Sequence, residues 1–186
     1  MAFGQRVFLL SIVALKTLGL VIENAFTTPI IEHKNFFTLP DIWQYAVDVN
    51  KYGLDLTGIT TMTIEVKACQ DASIIMSNSD DGDPKKPMYH FVIGGWNNNQ
   101  SGIQRREDDT LLPVDSRQNH QFLTPEVCNC SEYRPFWISA IKGDLRIGIG
   151  LIVGINDIAE WTDPHPFTIR GIGIYTNIKH IGDWKF

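Results

Sequence analysis

The chain has 186 residues, of which 44% are hydrophobic and 20% are charged, and its formal net charge at pH 7 is −5. This length suits one globular domain with a core of its own. The acidic balance leaves no basic face for nucleic acid or anionic lipid, so we expect neither a nucleic-acid partner nor a membrane partner.

Residues 1–25 have the pattern of a secretory signal peptide. One basic residue, Arg6, precedes the apolar run from Val7 to Leu15, and a second short run ends in small residues. A membrane anchor is the alternative, but Lys16 interrupts the run before it reaches the ~18 to 20 residues that a span needs. We therefore expect a secreted, extracellular protein whose single domain covers residues 26–186 and begins with an N-terminal arm.

The rest of the chain reads as short strands separated by turns. Residues 61–68 alternate apolar and polar side chains, which is typical of a half-buried antiparallel strand. Residues 43–49 fit either a helical turn or a strand, and their alternation and aromatic content favour the strand. Further strands are predicted at 73–76, 88–93, 136–141, 145–150 and 169–175, with turns at 78–87, 142–144 and 161–164. No segment has a convincing amphipathic helical pattern, so the predicted fold is an all-β, antiparallel, jelly-roll-like β-sandwich with little or no helix.

The hairpin predicted at 136–150 allows a more detailed expectation. Alternation places Leu145, Ile147 and Ile149 toward the core. Gly148 and Gly150 then leave the opposite face of that strand bare.

Three cysteines follow the signal: Cys69, Cys128 and Cys130. In an oxidising compartment two of them should form a disulfide, leaving the third free or bonded to another chain. Two glycosylation acceptor sequences, which begin at Asn99 and Asn129, fit the same compartment and predict a glycoprotein.

The sequence offers no pattern for catalysis or for a metal. The five histidines lie far apart, and there is neither an HExxH motif nor a paired Cys-x-x-Cys. Asp80, Asp81 and Asp83 lack the spacing of an EF-hand loop and indicate a solvated hairpin tip instead. We expect no catalytic residues, no metal and no cofactor.

Aromatic and polar residues occur together in two places. Trp96 is followed by three asparagines and a glutamine, a combination that stacks on a sugar face and hydrogen-bonds its hydroxyls; alternatively, Trp96 caps the core and the asparagines only turn the chain. Glu132 and Arg134 follow Cys130 and either brace this corner by a salt bridge or contact a ligand. The candidate ligand-binding residues are Trp96, Asn98, Arg105, Glu132 and Arg134.

The chain resembles the domain family named after farnesoic acid O-methyltransferase, from about Thr61 to Trp184. The resemblance is carried by short blocks in a fixed order: 66–72, 92–96 with Asn98, Ser101 and 105–106, then 130–139, 145–148, 161–164, 172–174 and 182–184. It implies a compact β domain, and it places Cys69 and Cys130 at the two cysteine positions of the family. Cys128 and the long insertion at 106–125 depart from the family pattern.

Cys128 is then the cysteine left over. It lies in a polar stretch between Thr124 and Asn129, where full burial is not expected. An accessible thiol at a two-fold axis could link two copies of the chain, so a homo-oligomer or a disulfide-linked partner is a possible outcome, with a capped or buried thiol as the alternative.

The family name suggests a methyltransferase, but such enzymes hold S-adenosylmethionine with a glycine-rich loop between a strand and a helix. The nearest candidate, Gly148 and Gly150 with Gly154, lies in a predicted hairpin. We therefore expect a non-catalytic, lectin-like recognition or matrix module that binds carbohydrate. The alternatives are a carrier or storage protein for an apolar small molecule such as a terpenoid or carotenoid, and the methyltransferase of the family name.

Overall fold

The computed structural model describes residues 12–16, 19–23, 25–31, 43, 45–49, 58–108, 119–176 and 181–186. The strands, in chain order, are β1 (Ile12–Lys16), β2 (Gly19–Glu23), β3 (Ala25–Thr28), β4 (Val47–Asp48), β5 (Thr61–Ala68), β6 (Ala72–Ser77), β7 (Met88–Gly94), β8 (Gln100–Arg106), β9 (Asn119–Leu123), β10 (Asn129–Ile141), β11 (Asp144–Ile149), β12 (Asp157–Thr162), β13 (Gly171–Thr176) and β14 (Gly182–Lys185). A single turn, α1 (Gly95–Asn98), joins β7 to β8. None of the described helices is long and apolar enough to cross a membrane.

Twelve of these strands form two six-stranded antiparallel sheets. Sheet I has the strand order β12-β11-β10-β5-β14-β3, and sheet II has the order β4-β13-β6-β7-β8-β9. The predicted antiparallel β-sandwich is therefore confirmed. Strands β1 and β2 pair with each other in a separate two-stranded sheet. Residues 1–11 of the predicted signal peptide lie outside the described residues.

The alternation of β5 determines its place in sheet I. Its apolar residues Ile64, Val66 and Ala68 are buried, while the residues between them are partly exposed. The strand pairs with β10 on one side and with β14 on the other. A strand that is apolar on one side only can cover a core and still face solvent, as the sequence pattern predicted.

The middle strands of sheet II are buried on both faces. Every residue of β6, β7 and β13 is buried. The inner face packs against sheet I, whereas Ile75, Met88 and Tyr175 on the outer face pack against Ile31 and Trp43 of the N-terminal arm. The arm thus forms a third layer on sheet II.

Large side chains fill the interior between the two sheets. Phe26, Phe91, Phe136 and Trp184 are each at most 2% exposed and belong to one cluster with the aliphatic residues of both sheets. This packing gives no support to a carrier that holds an apolar ligand between the sheets; a carrier that holds its ligand between subunits stays a hypothesis.

Some local predictions were wrong. Of the residues described between 43 and 49, only Val47–Asp48 forms a strand, which pairs with β13. Ile149 is 39% exposed and is not buried in the core, because it lies at the end of β11 where the pairing with β10 stops. Gly148 is not bare: a Cβ at this position would overlap the Trp137 ring, which covers the outer face of sheet I there.

The cysteines pair as the resemblance implied, since Cys69 and Cys130 form a disulfide. Cys128 is free and only 6% exposed, so the expectation of an accessible thiol was wrong. Gly94 explains the burial, because a Cβ at Gly94 would stand 2.6 Å from Cys128 Sγ. Burial raises the pKa of the Cys128 thiol to about 12. A buried, protonated thiol is poorly placed to link two subunits.

Candidate functional site

The turn between β7 and β8 has an unusual backbone. Trp96, Asn97 and Asn98 are consecutive residues with positive φ angles of 51°, 60° and 60°. The Asn99 amide donates to the Gly95 carbonyl at 3.0 Å, which closes one left-handed helical turn. Asparagine tolerates this conformation, but in a bulky residue such as tryptophan it is a real outlier.

Asn98 holds this turn against the segment before β10. Its side-chain amide donates to the Cys128 carbonyl at 2.9 Å, and its side-chain oxygen accepts from the Cys128 backbone amide at 3.0 Å. The backbone of the turn accepts two more hydrogen bonds, from Glu126 to the Asn98 carbonyl and from Thr124 to the Asn99 carbonyl. Both polar atoms of the Asn98 side chain, which was predicted to bind ligand, therefore form hydrogen bonds within the protein.

The left-handed turn places the Trp96 indole on the outer face of sheet II. A Cβ built on Gly102 would lie 3.2 Å from Trp96 Cη2 and 3.4 Å from Cζ3, so the six-membered ring rests where Gly102 has no side chain. Trp96 nevertheless remains 41% exposed. The ring is both seated on the sheet and accessible, which the core-capping alternative did not predict.

Amide side chains lie beside this ring on the same face. Gly102 pairs with Gln121 of β9, and Gln104 pairs with Asn119. The Gln104 amide donates to Asn119 Oδ1 at 3.1 Å, which shows that these two side chains share one face. Gln121 is exposed and Asn119 is partly exposed. We call this set, Trp96, Gln104, Asn119 and Gln121, the indole platform.

A further acceptor lies on the same strand. Gln100 and Gly102 lie two residues apart on β8, so both positions are on the same face of the sheet. The Gln100 Oε1 atom is buried and has no hydrogen-bond partner among the described residues. An unpaired buried acceptor is rare in native proteins, and it marks a position where a hydrogen-bond donor is missing.

A buried polar network adjoins the platform on the same face of sheet II. Gln104 Oε1 accepts from the Arg106 guanidinium and faces His90 Nδ1 at 3.2 Å, while His90 Nε2 lies 2.8 Å from the Tyr175 hydroxyl. Burial and the Arg106 charge lower the pKa of His90 to about 3. His90 is therefore neutral: its Nδ1 donates to Gln104, and its Nε2 accepts from Tyr175.

Arg105 does not belong to the platform. Its side chain has the parity of Ile103, on the inner face of β8, and its Nε donates to Asp163 Oδ2 at 3.1 Å. The same carboxylate oxygen accepts from the Tyr89 hydroxyl at 2.7 Å, and this bond together with burial raises the pKa of Tyr89. Arg105 thus satisfies a buried carboxylate and closes the end of the sandwich.

Glu132 and Arg134 lie on β10 in sheet I, away from Trp96. They form an ion pair at 3.4 Å, as the bracing interpretation predicted, and this pair is exposed. An exposed pair of this kind contributes little to stability. Of the five predicted ligand-binding residues, only Trp96 therefore has a free surface on the platform.

The two acceptor sequences differ in their setting. Asn99 is exposed, at the end of the left-handed turn. Asn129 is partly buried, and its side-chain oxygen accepts from the Ser131 and Glu132 amides. Glycosylation at either position stays a prediction.

The sequence analysis missed Asn119 and Gln121, because both lie in the segment interpreted as an insertion. Alternation in β9 puts these two residues on one side, but nothing local shows that this side adjoins Trp96. Within the described ranges, no three His, Cys, Asp or Glu side chains are grouped as metal ligands.

Comparisons with known proteins support a family but no activity. A BTB/POZ domain-containing protein of Arabidopsis thaliana is 30% identical over 98 residues, which are 52% of this chain and 11% of that protein. Uncharacterized protein 5 of Haliotis asinina is 25% identical over 104 residues, 56% of this chain and 55% of that protein. The chain thus spans about half of one relative and a small part of the other.

Among solved structures, the carbohydrate-binding module CBM66 of Bacillus subtilis covers 96% of this chain and 91% of its own, with 8% identity and a TM-score of 0.45. At this identity and score, the similarity carries no argument about a ligand. The family comparison is firmer, because the family described as farnesoic acid O-methyltransferase matches residues 42–186. This range runs from before β4 through β14, and the chain belongs to the farnesoic acid O-methyltransferase family.

Proposed function

We propose that the protein is a secreted, non-catalytic recognition module that binds neutral carbohydrate through the indole platform. One observation carries the proposal: Trp96 is 41% exposed although a left-handed turn fixes it on Gly102. A flexible surface tryptophan would need no such turn.

The backbone conformation has a cost that packing alone does not require. A left-handed conformation costs roughly 1–2 kcal/mol per non-glycine residue, and asparagine reduces that cost. Strained residues of this kind concentrate at functional sites, where the strain fixes a side chain in its working position. The Asn98 hydrogen bonds to Cys128 stabilise the turn and so hold the ring.

The chemistry of the platform fits a sugar. An indole presents an apolar, electron-rich surface to the C–H groups of a pyranose, and amides both donate to and accept from hydroxyls. Gln121 and Asn119 supply such amides at the edge of sheet II. Because the four platform side chains carry no formal charge, the expected ligand class is neutral oligosaccharides and not uronic or sialic acids.

Secretion is supported by the Cys69–Cys130 disulfide, since such bonds persist mainly in oxidising compartments. The non-catalytic character is supported by the packing role of Gly148, one of the glycines that come nearest to the pattern of a cofactor-binding loop. Gly148 pairs with Trp137 in an antiparallel ladder and makes room for its ring. Its lack of a side chain therefore has a packing reason.

The proposal can be tested on an array of neutral and acidic glycans, followed by calorimetry with the oligosaccharides that bind. Trp96→Ala and Gln121→Ala should weaken binding. For the first we expect about tenfold or more, on the scale of base stacking on an aromatic ring, which is worth ~1–3 kcal/mol. Ile152→Ala, which removes an exposed aliphatic side chain from the segment between β11 and β12, is the matched control. Binding that survives Trp96→Ala unchanged would refute the proposal.

A further inference from the structure

The segment between β11 and β12 exposes an unusual amount of aliphatic surface. Leu151, Ile152, Val153 and Ile155 are 56%, 69%, 43% and 53% exposed. Residues 147–156 contain no charged side chain, and every residue from 151 to 157 is exposed. We call residues 150–156 the aliphatic loop. Single exposed apolar residues are ordinary, but a contiguous group marks an interaction site.

Specific contacts hold the loop to sheet I. The Trp137 indole, fully buried at 0% exposure, donates from Nε1 to the Ile155 carbonyl at 2.8 Å. The Gly150 amide donates to the Pro135 carbonyl at 2.9 Å, and the Ile149 amide donates to the Asn156 carbonyl at 3.0 Å. These bonds fix both ends of the loop against β10 and satisfy part of its backbone, while the aliphatic side chains at 151–153 and 155 remain exposed.

The charges beside the loop restrict its partner. Arg146 is surrounded by Asp144 and Asp157, each at 2.9 Å, and by Glu160 at 4.0 Å. Three carboxylates against one guanidinium leave this rim net negative. The nearest other cation along β10, Arg134, is paired with Glu132. The rim would repel an anionic surface, whereas a surface without net charge meets only the aliphatic tip.

The size of the patch argues against a second copy of the chain as its partner. A stable protein interface takes about 20–30 residues from each side. The loop offers four contiguous aliphatic side chains, with Ile149 beside them at 39% exposure. A short, convex, uncharged tip is suited to entering the acyl region of a lipid surface, where shallow burial of a few aliphatic side chains gives reversible binding.

We propose that the aliphatic loop inserts shallowly into electrically neutral phospholipid surfaces. The sequence predicted no membrane partner, because the acidic balance leaves no basic face and the apolar run from Val7 to Leu15 is too short to span a membrane. The proposed insertion is independent of the indole platform. It predicts binding that is insensitive to salt and weaker on anionic lipid, the opposite of binding by basic patches.

The test is co-sedimentation of the full chain with phosphatidylcholine vesicles, at low and high salt and with added phosphatidylserine. The double variant Leu151→Ser with Ile152→Ser should lower the partition coefficient by about tenfold or more, which corresponds to ~1.4 kcal/mol. Leu123→Ser is the matched control, because Leu123 is an 81% exposed aliphatic residue on β9. Every variant keeps residues 1–25, so their difference reports on the loop.

A second measurement covers the case of a misfolded double variant. In Ile152→Trp, fluorescence should be quenched by brominated phosphatidylcholine, whereas Leu123→Trp should not be quenched. Equal binding by the wild type and the folded double variant would overturn the proposal. So would binding that requires phosphatidylserine and disappears in salt, absence of wild-type binding, or concentration-dependent dimerisation that the double variant abolishes.

Discussion

Replacing Asn98 by alanine removes both hydrogen bonds that its amide makes to the Cys128 backbone. The substitution also leaves a residue with a Cβ, but without a compensating polar side chain, at a φ of 60°. Both effects should destabilise the fold. They should also release Trp96, so carbohydrate binding should weaken although Asn98 does not face the ligand.

The magnitude follows from these two terms. Each hydrogen bond contributes about 1 kcal/mol net, and alanine in the left-handed region costs about 1 kcal/mol more than asparagine. We therefore expect Asn98→Ala to lower the free energy of unfolding by about 3 kcal/mol, or the melting temperature by roughly 6–12 °C. Asn98→Gly should lose only about 2 kcal/mol, because glycine adopts this conformation freely.

Asn97 provides the control, because it has the same φ of 60° and an exposed side chain. Asn97→Gly should be close to neutral, because glycine adopts this conformation freely but also makes the unfolded chain more flexible. Urea unfolding followed by far-ultraviolet circular dichroism, with the disulfide intact, measures these three variants together with Asn97→Ala, which should lose only about 1 kcal/mol. If Asn98→Ala and Asn97→Ala lose the same stability, the hydrogen bonds to Cys128 do not hold the turn.

Four further outcomes are expected. Cys69→Ser should lower the free energy of unfolding by about 4 kcal/mol, because the disulfide to Cys130 closes a loop with a sequence separation of 61; a stability unchanged in urea would contradict this. The Cys128 thiol should react with an aromatic disulfide reagent only in urea, and non-reducing electrophoresis should show no dimer that depends on it; rapid reaction in the native state would contradict its burial. Burial lowers the pKa of His90 from 6.5 to about 3 in the folded state, so the unfolded state binds more protons between these values. The contribution of His90 to stability is therefore complete above pH 6.5 and declines as the pH falls toward 3. His90→Gln should remove this part of the pH dependence in urea titrations. Calorimetry should detect no binding of S-adenosylmethionine, and micromolar affinity would restore the enzymatic interpretation.

Local patterns predicted the strands well where one face is polar. β5 spans the predicted residues 61–68, because alternation of apolar and polar residues is a direct consequence of a half-buried strand. The turn between β10 and β11 was also predicted, since Gly143 adopts a φ of 87° that favours glycine.

The patterns failed where tertiary contacts decide. Ile75, Met88 and Tyr175 are buried on the outer face of sheet II because Ile31 and Trp43 of the arm pack there, and alternation does not predict a third layer. Cys128 lies among polar residues in sequence, but the missing side chain of Gly94 gives its thiol space in the interior.

The sequence predicted only part of the candidate site, because the rest of the site also depends on tertiary contacts. The composition around Trp96 indicated a ring beside amides, and the structure has that combination. The amides are different ones, however: Asn98 turns inward, while Gln121 arrives from β9 through the pairing of β9 with Gly102 on β8. Strand pairing between distant segments is not encoded in either segment alone.

The central claim is tested most directly by the indole N–H signals in a nitrogen–proton correlation spectrum, since the chain has five tryptophans. The probes are neutral oligosaccharides, namely chitohexaose, cellohexaose and laminarihexaose, together with any neutral glycan that binds on the array. A saccharide that binds should shift one indole signal strongly, and that signal should be missing from Trp96→Phe. If saccharide binding moves other signals and leaves that of Trp96 in place, the indole platform is not the carbohydrate site.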